Sequence, residues 1–202
     1  MKAWQIALPI GLAAAAAAAV AIISGKKNAE KPSAPAKGAA KGGAKKAEIK
    51  NAKTGVYSFV SGFSDASTVD VSVKYDGDKQ SFDVIGEEFL TYSSDSHVAA
   101  IYGDEVDMQL EYAGYYSGEG FAELSEGIKN KFNAFGTVTY AGIDCIHYLD
   151  GNEMRICLPI PGDAYSYILV TVLKHGDCKT PVAELYTHPE VGAILDSIEF
   201  NK

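Results

Sequence analysis

Apolar and polar residues alternate along the chain near residue 70. The apolar positions are Val69, Val71, Val73 and Tyr75. A period of two is typical of a β-strand that buries one face. Asp76 and Gly77 follow as a turn signal, and residues 81–85 contain the apolar positions of a returning strand. The pattern therefore predicts a β-hairpin.

A second hairpin is predicted for residues 98–112. An apolar run at 98–102 leads into a turn at Gly103 and Asp104. Alternating apolar positions follow at Val106, Met108, Leu110 and Tyr112. This second strand should again have one buried face and one polar face.

The spacing of apolar residues changes after Ser117. It becomes three, four and four residues, at the positions Phe121, Leu124, Ile128 and Phe132. This spacing predicts an amphipathic helix whose apolar stripe faces the core. Ser117 is the expected N-cap, and Gly136 lies beyond the expected end of the helix.

Strand patterns return at residues 137–140, 143–149, 154–160 and 165–173. The last segment is apolar on both faces, which predicts a central strand covered on both sides. Residues 180–181 open a final helical region, and residues 187–190 provide a second start signal with capping-box spacing. The buried stripe of this region should contain Val191, Ile194, Leu195 and Ile198.

The order of these elements predicts an α+β fold. A mainly antiparallel β-sheet would be packed by two helical regions, because short connections favour antiparallel neighbours. An N-terminal hydrophobic helix and a disordered linker would precede this domain. The predicted boundaries are a membrane anchor or signal segment at 1–25, a flexible linker at 26–53 and the globular domain at 54–202.

The order of elements also resembles the PsbP-like α/β/α sandwich superfamily, which includes small lipoproteins and anchored bacterial domains. The resemblance is carried by the early hairpins, the helix at 121–132, the strands at 137–173 and the closing segment at 194–200. It covers most of residues 65–200. It implies a role in assembly or binding and a bias against catalysis, and it assigns no functional residue to this chain.

Charge divides the chain into two parts. Residues 1–53 contain ten Lys and two Glu, a formal charge of +8, while residues 54–202 contain eight Lys or Arg and twenty-four Asp or Glu, a formal charge of −16. An acidic domain repels polyanions, so nucleic-acid binding is disfavoured. The charge favours a cationic partner, a metal ion or simple solubility.

Residues 4–23 form a stretch of twenty residues without a formal charge. A helix of this length spans about 30 Å, the thickness of the hydrocarbon core of a bilayer. Residues 13–19 are all alanine, so the segment is only weakly apolar. Its length favours an uncleaved membrane anchor over a secretory signal, although cleavage within the alanines stays open.

Two signals disagree on the side of the membrane where the domain lies. Lysines are more numerous after the apolar segment than before it, which favours a cytoplasmic domain. A signal anchor led by Lys2 and followed by an Ala/Lys/Pro/Gly spacer resembles bacterial surface proteins. This resemblance, together with a candidate disulfide, favours an extracytoplasmic domain. We expect the extracytoplasmic location, with the cytoplasmic face or secretion after cleavage as alternatives.

The segment at 26–53 holds nine Lys and eight Ala, with Pro and Gly. Such a composition cannot offset the entropy lost on ordering, so a flexible linker is expected. Its lysines would bind anionic lipid headgroups or wall polymers, fold back onto the acidic domain, or act only as a solvated spacer.

Three cysteines occur without the CxxC spacing of a zinc or redox motif, at Cys145, Cys157 and Cys178. A three-residue loop at 150–152 would place Cys145 opposite Cys157 and allow a cross-strand disulfide. A shorter loop would shift the register and abolish the contact. Two buried thiols are the alternative, and Cys178 would stay free or replace one partner.

Other candidate sites are weaker. The four histidines are His97, His147, His175 and His188, and they lack the HExxH spacing of a zinc site. One interpretation is a metal site formed in space, for instance by His147 with Asp144 or by His97 with Asp95. Lone surface histidines are the alternative. The sequence contains no GxSxG nucleophile elbow and no Gly-rich phosphate loop.

Three tyrosines near Gly114, at Tyr112, Tyr115 and Tyr116, are a candidate binding platform, because aromatic side chains in a loop offer large contact areas. Packing beneath the following helix is the alternative role.

Three functions stay open at this point. The first is a non-catalytic, membrane-tethered domain that binds a protein or an envelope component. The second is a hydrolase or metal-dependent enzyme whose site is assembled only in the fold. The third is an envelope sensor or accessory subunit that acts through its anchor. No cofactor is expected.

Overall fold

The fold is seen in a computed structural model, which describes residues 47–60, 68–85, 98–114, 120–163 and 166–201. The strands in these ranges are β1 (Ala52–Val60), β2 (Thr68–Asp76), β3 (Ser81–Ile85), β4 (Val98–Tyr102), β5 (Val106–Gly114), β6 (Asn133–Tyr140), β7 (Ile143–Asp150), β8 (Glu153–Pro159), β9 (Ser166–Lys174) and β10 (Glu199–Asn201). The helices are α1 (Phe121–Lys131), a 3-10 helix (Val182–Thr187) and α2 (Pro189–Leu195).

Seven strands form an antiparallel sheet in the order β3-β4-β5-β9-β8-β7-β6. β9 lies at the centre of this order. Ile168, Val170 and Val172 are fully buried on one face, and Leu169 packs in an apolar cluster on the other face. Both faces of β9 are therefore covered, and the prediction of a central strand is confirmed.

The strands β1, β2 and β10 form a second antiparallel sheet with β2 in the middle. Its buried face contributes Tyr57, Phe59, Val69, Val71 and Val73 to the same core as β9. The predicted hairpin of β2 with β3 is wrong, because β3 pairs with β4 in the seven-stranded sheet. Both strands exist as predicted, but the turn between them carries the chain from one sheet to the other.

Asp76 holds the turn that joins the two sheets. Its carbonyl oxygen accepts hydrogen bonds from the backbone N–H groups of Lys79 and Gln80, at 3.0 and 2.8 Å. Its carboxylate accepts a hydrogen bond from the N–H of Asp78 at 3.2 Å. This last bond favours the ionised carboxylate and lowers the pKa of Asp76. A side chain that caps its own turn is a common use of Asp.

The predicted hairpin of β4 and β5 is confirmed. Val98 lies opposite Glu111 and Tyr102 lies opposite Asp107. Along β5 the side chains alternate between buried and half-buried positions, as the period of two predicts.

Helix α1 packs on the face of the seven-stranded sheet that lies away from the three-stranded sheet. Ile128 is its buried residue, in a cluster with Ile146 and Cys157. The predicted N-cap, Ser117, lies outside the described residues. Glu123 accepts a hydrogen bond from the N–H of Gly120 at 3.1 Å, which satisfies a donor at the start of the helix.

The second helical region is confirmed as the 3-10 helix followed by α2. Both cover the core between the two sheets, where Leu185 is buried. The predicted stripe is buried as well, at Val191, Ile194, Leu195 and Ile198. Thr187 does not cap α2, because its hydroxyl donates to the carbonyl of Glu184 and His188 occupies the N-cap position.

The described residues thus form an α+β fold that is mainly antiparallel sheet. β1 begins at Ala52, so the described structure includes the last residues of the segment expected to be linker. The apolar segment at 4–23 lies outside the described residues. Within those residues, no helix has the length and apolar character needed to cross a membrane.

Candidate functional site

The register of β7 and β8 decides the candidate disulfide. The turn between them has two residues, Gly151 and Asn152, because Asp150 lies opposite Glu153. Ile146 therefore lies opposite Cys157. Cys145 is the neighbour of Ile146, so it points to the other face of the sheet and packs in the core between the two sheets.

The expected disulfide between Cys145 and Cys157 is accordingly not formed, and both are buried free thiols. Burial disfavours the thiolate and raises the pKa of Cys145 to about 12. Burial raises the pKa of Cys157 as well. Thiols of this kind are poor nucleophiles and pack as small apolar residues.

Tyr112 is part of the core and not of an exposed platform. Its ring stacks on Phe59 with 4.3 Å between the ring centroids, and its N–H donates to the hydroxyl of Tyr57 at 3.3 Å. Tyr115 and Tyr116, the other two members of the predicted platform, lie outside the described residues.

The pair His147 and Asp144 does not meet. The two side chains point to opposite faces of β7, because their positions differ by three, an odd number, and side chains alternate along a strand. His147 is buried and stacks on Tyr186, with 3.7 Å between the ring centroids. Burial lowers its pKa to about 4, so the ring is neutral at pH 7. His97 and Asp95 lie outside the described residues.

A different set of side chains meets at the end of the sheet where β5 begins and β9 ends. Glu105 immediately precedes β5, Cys178 follows β9 by four residues, and His188 is the N-cap of α2. Their ligand-type atoms all lie within 4.8 Å of one another. Nε2 of His188 lies 2.9 Å from a carboxylate oxygen of Glu105. We call these three residues the Glu–Cys–His cluster.

Backbone hydrogen bonds fix the segments that carry the cluster. The N–H of His175 donates to the carbonyl of Glu105 at 2.9 Å, and the N–H of Cys178 donates to the carbonyl of His175 at 3.1 Å. The N–H of His188 donates to the carbonyl of Leu185 at 3.0 Å. The first two bonds tie the loop before β5 to the loop after β9, and the third fixes the start of α2 on the 3-10 helix.

Burial is uneven within the cluster. The side chains of Cys178 and His188 are both about 3% exposed, whereas that of Glu105 is 51% exposed. Nδ1 of His188 is buried and has no hydrogen-bond partner among the described residues. The cluster therefore has a buried inner side and an opening to solvent at Glu105.

A second histidine–carboxylate pair lies beside the cluster. Nε2 of His175 is 2.9 Å from Asp107, whose other oxygen accepts a hydrogen bond from the N–H of Gly103 at 3.2 Å. His175 is half-exposed. This pair braces the loop before β5 against the loop after β9.

The edge strand β3 exposes apolar side chains. Val84 is 43% and Ile85 is 46% exposed, although they point to opposite faces of the strand. β3 is the first strand of its sheet, so its outer edge has no strand partner among the described residues. An edge strand with exposed apolar side chains favours pairing with another chain.

One small pocket lies near the Asp76 turn, lined in part by Gln80, Glu190 and Ile194. Its volume of about 20 Å³ has room for about one water molecule. This pocket is too small for an organic substrate.

Comparisons with protein-family models, with curated proteins and with solved structures gave no match. The sequence reasoning missed the Glu–Cys–His cluster, because its members come from three separate segments and no local spacing links them. The sequence leaves Cys178 free or as a replacement partner in the candidate disulfide, and it presents His188 as a lone histidine without the spacing of a metal site. The one feature of the sequence that points to the cluster is that each of its residues lies beside a predicted turn or helix start.

Proposed function

We propose that the chain is a membrane-tethered, non-catalytic domain that binds a protein partner on the extracytoplasmic side. The observation that carries the proposal is the edge of β3, where Val84 and Ile85 are both about half-exposed. The partner would add a strand to this edge, because strand addition forms main-chain hydrogen bonds and uses alternate side chains for specificity.

The charge of the domain indicates which partner fits. With a formal charge of −16 over residues 54–202, the domain attracts a basic segment and repels an acidic one. The preferred occupant of the β3 edge is therefore an extended protein segment rich in Lys or Arg.

The tether supports this role. Residues 4–23 would hold the chain in the membrane, and a coil of the 28 residues at 26–53 has a typical reach of roughly 30 Å. The domain would contact partners within this distance of the bilayer. The linker lysines would also bind anionic lipid or wall polymer there.

Crosslinking in intact cells tests the proposal. Membranes are crosslinked, the tagged chain is isolated, and partner recovery is compared between the wild type and Val84→Glu. Val56→Glu is the matched control, because Val56 is a valine of similar exposure, 49%, on the outer face of the three-stranded sheet. We expect Val84→Glu alone to lose the partner. Equal recovery by both variants would refute the role of the β3 edge.

A metal-dependent function is the second candidate, and the Glu–Cys–His cluster is the observation that favours it.

A further inference from the structure

We propose that Glu105, Cys178 and His188 form a binding site for one zinc ion. This site goes beyond the proposed binding function and does not depend on it. A carboxylate, a thiolate and an imidazole are the three kinds of side chain that bind Zn²⁺ in proteins. Within the described residues, the ligand atoms of these three side chains all lie within 4.8 Å of one another.

The chemistry of the ligands selects the metal. A thiolate is a soft ligand that Ca²⁺ and Mg²⁺ do not favour, whereas Zn²⁺ accepts sulfur, nitrogen and oxygen together. The acidic charge of the domain adds a general attraction for cations.

The distances suit a tetrahedral ion after small adjustments in both directions. With bond lengths of about 2.0–2.3 Å, neighbouring ligand atoms of tetrahedral Zn²⁺ lie about 3.3–3.6 Å apart. The atoms of the cluster are separated by between 2.9 Å, for His188 and Glu105, and at most 4.8 Å. Small side-chain rotations would widen the separation between His188 and Glu105, shorten the longer separations and bring all three atoms to one ion.

The backbone leaves the ligands preorganised. Glu105 and Cys178 are both hydrogen-bonded to the main chain of His175, and His188 is fixed by the bond to Leu185 and by the bond that its own carbonyl accepts from Gly192 at 2.9 Å. A metal ion that binds to such a frame has few backbone groups to order, so little affinity is lost on binding.

The imidazole of His188 is buried, and its Nε2 faces the cluster, 2.9 Å from Glu105. Nε2 would therefore be the nitrogen that binds the ion. Nδ1, which has no hydrogen-bond partner among the described residues, would then carry the hydrogen of the ring and donate it to water.

Three protein ligands leave the fourth position of a tetrahedral ion open. The opening lies on the side of Glu105, whose side chain is half-exposed. Water would occupy this position, as it does in zinc sites with three protein ligands.

Cobalt substitution tests the site. The full-length chain is purified in mild detergent, freed of metal with a chelator and titrated with Co²⁺ under reducing conditions. We expect one Co²⁺ per chain, with visible absorption of a tetrahedral ion and near-ultraviolet absorption from thiolate ligation. Zn²⁺ should displace Co²⁺ and remove both signals.

Variants identify the ligands. Cys178→Ser should abolish the thiolate absorption, and Cys145→Ala, which removes a thiol elsewhere, should retain it. Glu105→Gln should weaken affinity at least about tenfold. Because Glu105 is half-exposed, this variant keeps its fold, so the test holds even if Cys178→Ser unfolds. Absence of the thiolate signal in the wild type, its loss in Cys145→Ala, or unchanged affinity in Glu105→Gln would overturn the proposal.

Discussion

Cys145 and Cys157 point to opposite faces of the seven-stranded sheet, although their strands are neighbours. The two thiols would have to pass through the sheet to meet. We therefore expect the purified chain to carry three free thiols, with Cys178 as the third.

Alkylation in denaturant without reductant checks this expectation. The mass should increase by three alkyl groups, and prior treatment with a reductant should not change that number. An increase by one group without reductant, and by three after reduction, would show a disulfide within the chain.

Gly136 has no space for a side chain. A Cβ atom there would lie 2.5 Å from Nε2 of His147, and the stacking on Tyr186 prevents this ring from moving aside. Gly136→Ala should therefore lower the free energy of unfolding by about 1–3 kcal/mol. Urea denaturation followed by circular dichroism measures the change.

Gly127 provides the matched control. It lies inside α1, and a Cβ atom there would have no neighbour within 4 Å. Gly127→Ala should raise the free energy of unfolding by about 0.5–1 kcal/mol, because Ala loses less conformational entropy in a helix. Changes of the same sign in the two variants would contradict the described packing.

His147 should make the stability of the domain sensitive to acid. Its pKa is lowered by burial from 6.5 to about 4, so the unfolded chain binds the proton more readily than the folded one. The contribution to stability is complete above pH 6.5 and falls as the pH is lowered towards 4, by about 3 kcal/mol in all. His147→Gln should have a smaller slope of unfolding free energy against pH across this range. An unchanged slope would contradict the burial of this imidazole.

The centre of the sheet should matter more to stability than its edge. Ile156 on β8 is fully buried, whereas Val84 on β3 is exposed. Ile156→Ala should cost about 2–5 kcal/mol in unfolding free energy, because it removes buried methylene groups and leaves a cavity. Val84→Ala should change it by no more than about 0.5 kcal/mol. Similar costs in thermal or urea unfolding would argue against the described strand order.

Local patterns were enough to predict most of the elements. The strand at 165–173 is apolar on both faces, and this pattern alone predicts a position at the centre of a sheet. The helix at 121–132 followed from its spacing in the same way, since the period of a helix is a local property.

Pairing between strands is not local, and here the sequence reasoning failed. Alternation in β2 and β3 is the same whether the strands pair or belong to different sheets. The register of β7 and β8 depended on one residue of turn length. Gly151 has a φ angle of 61°, a left-handed conformation that favours glycine in two-residue turns. A glycine at this position of the sequence is therefore the feature that indicates the shorter loop.

The Glu–Cys–His cluster was beyond the reach of sequence patterns for a related reason. Glu105 and His188 are 83 positions apart and meet only because β5 and β9 are neighbours and α2 starts beside them. A site whose residues come from several loops has no local motif, so its elements can be predicted from the sequence while the site itself cannot.

Photo-crosslinking from the β3 edge tests the central claim, the recognition of a protein strand, most directly. A photoreactive residue is placed at position 84 of the full-length chain in living cells, and the crosslinked peptide is sequenced. We predict one dominant partner, joined through an extended basic segment, and no such product from a probe at position 56. Equal products from both positions, or only acidic or non-protein products from position 84, would contradict the account.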